Sequence, residues 1–160
     1  MSRAGLPSPK RQRGVAAVEF GLLIIPLTLM LFGLTEYGRA IYQYNTLVKA
    51  TRDATRYLTT VAPGNGWTEA RCLATRGDLT CNAPLLAPGL TADKVEICDA
   101  TNCAGTHALV PTGSVAVNLV TVTISGYQFE SLINFPLAGL SIGAPDITFG
   151  DISNTMRQAL

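Results

Sequence analysis

The sequence predicts an α+β chain in which one long N-terminal helix is followed by a small antiparallel β-rich head. Three observations carry that expectation. From Phe20 to Thr35 there are sixteen residues without a charge. A helical spacing then continues to Leu58 and is cut off by Ala-Pro-Gly-Asn-Gly at residues 62–66. Beyond that stop the sequence changes to turn residues, short Val- and Ile-rich runs and four cysteines.

The first fourteen residues form a basic leader. Arg3, Lys10, Arg11 and Arg13 place four of the twelve basic residues there, and none of the eleven acids. Without them the balance becomes eight basic against eleven acidic side chains. That is no footprint for nucleic-acid binding, which needs clustered positive charge.

Residues 15–35 are the next element. Val15 to Val18 extend the apolar run upstream of Glu19, giving twenty-one residues in all. A membrane span needs about 20 mainly apolar residues, so this segment is long enough to cross. A secretory signal has a shorter hydrophobic region, roughly 7–15 residues, with small residues at a cleavage site after it; here Glu36, Tyr37, Gly38 and Arg39 follow instead. The leader is strongly basic, whereas Glu36 and Arg39 roughly cancel, so the positive-inside rule keeps the N-terminus in the cytoplasm and exports the rest. Pro26 lacks an amide hydrogen and is expected to bend or locally open the helix.

Residues 36–62 continue the helix outside the membrane. Tyr37, Ile41, Tyr44, Val48, Thr51, Thr55 and Leu58 recur every three or four positions, predicting an inward stripe. The tyrosines at 37, 42 and 44 then read as packing and interface residues. The helix is expected to run from about Ala16 to Thr60.

Residues 63–160 form the head. Its sequence reads as loop to about Leu90, followed by a short strand at Lys94–Cys98 and a strong one at Ser114–Tyr127. In the latter, Val115, Val117 and Leu119 share one phase and Val120, Val122 and Ile124 the other, which a bulge near Leu119 explains. Loops marked by Pro136, Gly139, Gly143 and Pro145 precede a last strand at Asp146–Ile152. Cys72, Cys81, Cys98 and Cys103 all lie in this exported part, where an oxidising compartment favours two disulfides. Four cysteines allow three pairings, and proximity favours Cys72 with Cys81 and Cys98 with Cys103. The rival, a zinc site, lacks the usual C-x2-C spacing.

Glu19 is the unusual residue of the apolar segment, because a charged group costs about 2.5–3.5 kcal/mol at the centre of a membrane helix and less near its end. It either snorkels to the interface or serves assembly. The string Arg13-Gly14-Val15-Ala16-Ala17-Val18-Glu19-Phe20 resembles the type IV prepilin signature, in which a basic leader ends in Gly, cleavage follows, and Glu is the fifth mature residue. Further along, Pro26 inside the helix, the Phe-Gly-x-x-Glu-Tyr-Gly-Arg run from Phe32 to Arg39 and Ala54 to Tyr57 are similar to the TadE-like family, the pilin-like minor components of Tad adherence pili. The resemblance covers about a quarter of the chain and implies a pilin-like fold. It implies cleavage between Gly14 and Val15 by a prepilin peptidase, and assembly through Glu19 and Phe20. The partners it implies are that peptidase, other pilin-like subunits, the inner-membrane assembly platform and membrane lipid. Its implied place is the bacterial inner membrane as a single-pass protein, or an assembled pilus.

Catalysis has little to stand on. His107 is the only histidine, in a loop where such a residue is usually solvated, and no phosphate loop, H-E-x-x-H or G-x-S-x-G motif occurs. Glu130 and Asp146 can be imagined as paired carboxylates, yet nothing local brings them together or desolvates them. No metal or cofactor is expected. The alternative function is an uncleaved single-span protein whose disulfide-stapled head captures a ligand.

Overall fold

The computed structural model describes residues 13–113, 115–132, 134–137, 140–143 and 146–158. The leader up to residue 12 lies outside them, as do Ser114 at the start of the predicted strand and Gly139 and Pro145 of the predicted loops. The chain divides into two compact units, Met1–Thr35 and Glu36–Leu160.

The first helix, α1, is Arg13–Leu58. Among the described residues it is the one helix long and apolar enough to cross a membrane. The described part of the first unit is this helix, and its large apolar side chains are exposed. The helix continues through Pro26, whose missing N–H leaves the Leu22 carbonyl without its usual donor. Hydroxyls are turned back on the helix: Thr28 Oγ1 donates to Ile24 O at 2.6 Å and Thr35 Oγ1 to Leu31 O at 2.9 Å. A polar side chain satisfied in this way needs no water.

The second unit begins with the rest of α1, and here the predicted stripe is corrected. Its lower members Thr51, Thr55 and Leu58 are buried. Its upper members are not: Tyr37 is 62% exposed and Ile41 and Tyr44 are each 44% exposed. The face turned to the head is instead Glu36, Ala40, Gln43, Leu47, Ala50 and Ala54. Small side chains at Ala40, Ala50 and Ala54 admit close packing, whereas tyrosines on that face would hold the two surfaces apart. Tyr44 meets Phe149 edge-on at 5.5 Å between ring centroids.

Thr59 and Thr60 donate back to the last turn of α1, and the chain then passes through left-handed Gly64 and Gly66, with φ of 83° and 74°. A Cβ on Gly66 would also stand 3.1 Å from the Tyr57 ring, so two requirements select glycine there. The expected loop up to Leu90 contains a second helix, α2, Trp67–Arg76. It closes at left-handed Gly77, whose N–H bonds Leu73 O. It buries Ala70, Cys72, Ala74 and Thr75.

The main sheet is built on one central strand. The strands are β1 (Val95–Cys98), β2 (Val110–Pro111), β3 (Ala116–Ile124), β4 (Gln128–Phe129), β5 (Asn134–Leu137), β6 (Leu140–Gly143), β7 (Ile147–Thr148) and β8 (Ile152–Gln158). β1, β2 and β8 all pair antiparallel with β3. The two small ladders, β4 with β7 and β5 with β6, stand apart from it. The predicted bulge is absent: β3 pairs with β8 in unbroken register from Asn118↔Gln158 to Ile124↔Ile152. The change of phase is absorbed at Val117 and Asn118, which are both buried, with Asn118 Oδ1 accepting from Leu109 N at 2.9 Å. The predicted strand at 146–152 is also corrected, since it contains β7 and only the first residue of β8.

Val120, Val122 and Ile124 of β3, Val95 and Ile97 of β1 and Ile152 of β8 pack with Leu47, Ala54 and Leu58 of α1 in one core. At the end of β8, Gln158 Nε2 donates to Leu58 O at 3.2 Å and Val61 O at 3.3 Å. This satisfies carbonyls that a helix C-terminus leaves open.

Candidate functional site

The residues marked for processing and assembly lie at the start of α1. Gly14 and Val15 are already in its first turn, and Val15, Glu19 and Phe20 are all exposed. Val15 and Glu19 are four residues apart, so they share a helix face. Among the described residues no group pairs with Glu19. A Cβ on Gly14 would meet nothing within 4 Å, so nothing in the fold requires glycine at that position.

In the second unit, four of the residues marked by the sequence are joined in pairs. Cys72–Cys81 links α2 to the loop after it, with Cα atoms 4.9 Å apart. Cys98–Cys103 links the end of β1 to the short helix α3 (Ala104–His107), with Cα atoms 5.5 Å apart. His107 is not simply solvated, as expected for its loop. Its Nε2 lies 2.8 Å from Thr121 Oγ1 on β3, and its Nδ1 lies 2.7 Å from Thr106 Oγ1 and 3.7 Å from Cys98 Sγ. Cys98, Cys103 and His107 thus form a cluster with metal-ligand atom types, but both sulfurs are bonded to each other. A metal takes thiolates.

Sequence reading missed Asp99. Its side chain is fully buried and ties three segments together. Oδ2 accepts from Gly64 N at 2.8 Å and Trp67 Nε1 at 2.9 Å, and Oδ1 from Thr101 N at 2.8 Å and Thr101 Oγ1 at 2.5 Å. Burial pushes its pKa up, but the donors from Thr101, Gly64 and Trp67 outweigh that and hold it down at about 2. The helix stop, the start of α2 and the Cys98–Cys103 loop are therefore locked by one carboxylate. The Asp-Ala-Thr-Asn turn was its only sequence signal. Asn102 completes that turn, its Oδ1 accepting from Asp99 N and its Nδ2 donating to Ile97 O.

A second polar anchor joins α1 to the other end of the head. Glu36 is buried. Arg39 Nη2 donates to Glu36 Oε2 at 2.8 Å and to Glu130 O at 2.7 Å, while its guanidinium lies 4.5 Å from the centre of the Phe129 ring. Leu132 N donates to Glu36 Oε1 at 3.3 Å. The two charges read as cancelling are thus one ion pair that holds the segment following β4. Arg39 uses the backbone carbonyl of Glu130, and Asp146 Oδ1 accepts from Ser131 N at 3.1 Å. Nearby, Tyr127 donates its hydroxyl to Gln43 Oε1 at 2.9 Å.

Residues 14–56 match a family model described as TadE-like protein. The match therefore takes in the Gly14–Val15 turn, the apolar run and both members of the Glu36–Arg39 pair. No curated protein and no solved structure matches the chain.

Proposed function

We propose that this protein is a pilin-like structural subunit of a Tad-type adherence pilus, matured by a prepilin peptidase between Gly14 and Val15. The observation that carries the reading is the Gly14/Glu19 spacing directly ahead of a membrane-length helix, inside the segment that matches the TadE-like family. In this reading the leader stays in the cytoplasm, residues 15–35 span the inner membrane once, and the stapled head lies outside. Its work is structural rather than catalytic, and its partners are other pilin-like subunits and the inner-membrane assembly platform.

The chemistry centres on Glu19. Removing the leader gives Val15 a new α-amino group one helical turn from the Glu19 carboxylate. Either charge alone is costly in lipid, and pairing within a subunit or with its neighbour offsets much of that cost while fixing axial register. Nothing in the described residues of this chain neutralises Glu19, which leaves its carboxylate for such a partner. Glu19→Leu is therefore expected to insert, fold and oxidise normally yet to be lost from complexes with its pilin partners. The measurement is co-purification at matched membrane levels, and full incorporation of the variant would show that Glu19 merely snorkels to water.

A further inference from the structure

Charge is unevenly placed in the head. Residues 63–160 hold four basic side chains, Arg71, Arg76, Lys94 and Arg157, against eight acidic ones. Two of those four cations line one cavity of about 470 Å³ between α2 and the loop that follows it, and none of the eight acids does. Its volume falls in the range of roughly 300–1,000 Å³ usual for small-molecule sites.

The local sequence builds this cavity. Thr68, Arg71, Cys72 and Thr75 recur every three or four residues, so they share one face of α2. Cys72–Cys81 ties the following loop back to that face, and Leu85 and Ala92 supply the apolar part of the wall. Each guanidinium is fixed at one nitrogen by a backbone carbonyl: Arg71 Nε donates to Val95 O at 3.4 Å and Arg76 Nη1 to Ala83 O at 2.6 Å. Both side chains are half-buried, and among the described residues no carboxylate forms an ion pair with either. Asp93 and Glu96 border a neighbouring cavity that Arg71 also lines. Thr75 donates its hydroxyl to Arg71 O and Thr91 to Asp93, so Thr68 is the remaining hydroxyl on the wall. A half-buried cation without a counter-ion is costly, and two beside one cavity call for an anion.

We propose that this cavity binds a small organic oxyanion, a carboxylate or a phosphate ester. The guanidinium forks take the charged oxygens, because their planar N–H pairs match either group. Thr68 adds a neutral donor, and the organic body lies against Leu85, Ala92 and the Cys72–Cys81 bond. That disulfide thus has a second role besides stability, since it fixes the wall of the site. The site does not depend on how residues 15–35 are read.

The test uses full-length protein in zwitterionic detergent micelles, isotope-labelled at the arginine nitrogens and followed by nuclear magnetic resonance. It is titrated with glucuronate, glucose phosphate, inorganic phosphate and neutral glucose. The Nε–H signals of Arg71 and Arg76, assigned by their loss in Arg71→Gln and Arg76→Gln, should shift saturably with at least one of the two organic anions and stay put with glucose. The tighter of the two names the oxyanion. Inorganic phosphate should bind more weakly, since it leaves Leu85 and Ala92 uncovered. Read on the Arg76 signal, Arg71→Gln should weaken binding by about tenfold or more, as for a lost charge-assisted bond, with both disulfides still formed. Arg157→Gln, outside the cavity, should leave binding unchanged. If Arg71→Gln fails to oxidise, Arg76→Gln read on the Arg71 signal makes the same test. The inference would be overturned by shifts common to all arginines, by inorganic phosphate binding as tightly as the organic anions, or by no saturation with either of them.

Discussion

Residues 20–35 and 36–58 belong to one helix and use opposite chemistry. The first stretch has no charge and leaves its large apolar side chains uncovered. The second turns tyrosines and Ile41 outward and buries Glu36, Gln43, Thr51 and Thr55. Each buried polar group there has a partner: Arg39 for Glu36, the Tyr127 hydroxyl for Gln43, and carbonyls one turn back for the two threonines. A helix in lipid is held by its own backbone bonds, whereas one that carries a head must offer short side chains and specific polar contacts. Hydrophobicity alone therefore marks the first stretch and misleads in the second.

The largest effect on this contrast is expected at Asp99. Asp99→Ala strands the donors of Gly64, Trp67 and Thr101 in a buried site. Since a hydrogen bond to a charged group is worth about 1.5–3 kcal/mol and several are lost, a destabilisation of about 3 kcal/mol or more is expected. Urea unfolding of the head followed by Trp67 fluorescence measures it, and the membrane helix should be unaffected. The pH dependence has a definite sign. The carboxyl is depressed in the folded state to about 2 from 3.8, so its contribution is present above pH 4 and is lost as pH falls through 2. Asp99→Asn should remove that acid-side slope.

Next in size are the disulfides. Replacing Cys72 and Cys81 together by serine should cost about 2–3 kcal/mol by the loop-closure argument. The five-residue separation of Cys98 and Cys103 should give less, because its loop is shorter. Thermal melts with and without a reductant rank the two, and an unchanged melt would mean that packing alone holds the head.

Smallest is the outward face. Tyr37→Ser and Tyr42→Ser should change head stability by no more than about 0.5 kcal/mol, as for surface positions. A loss several times larger at Tyr37 would restore it to the inward stripe where its spacing had put it.

Much of the fold was legible because its signals are periodic or categorical. The uncharged run, the Pro-Gly stop and the Val-rich β3 each stand out against neutral surroundings. What stayed hidden depends on contacts distant in sequence. In α2, Ala70 and Ala74 lie one turn apart, but three glycines and two threonines from 64 to 77 read as loop. β8 is spelled Ile-Ser-Asn-Thr-Met-Arg-Gln, too polar to be marked as a strand, and it is one because β3 supplies the partner. Asp99 and the Glu36–Arg39 pair look like ordinary surface charge until the head closes over them. Gly14, Val15, Glu19 and Phe20 were visible throughout, as their meaning rests on order along the chain.

The central claim, maturation as a pilin-like subunit, is tested most directly by the N-terminal residue of the protein isolated from cells that hold the matching peptidase. The account predicts a chain starting at Val15, fourteen residues shorter than the 160 encoded. Replacing Gly14 by leucine should block the cut without disturbing the head, since the structure leaves room for a side chain there. An intact Met1 start in those cells would contradict it.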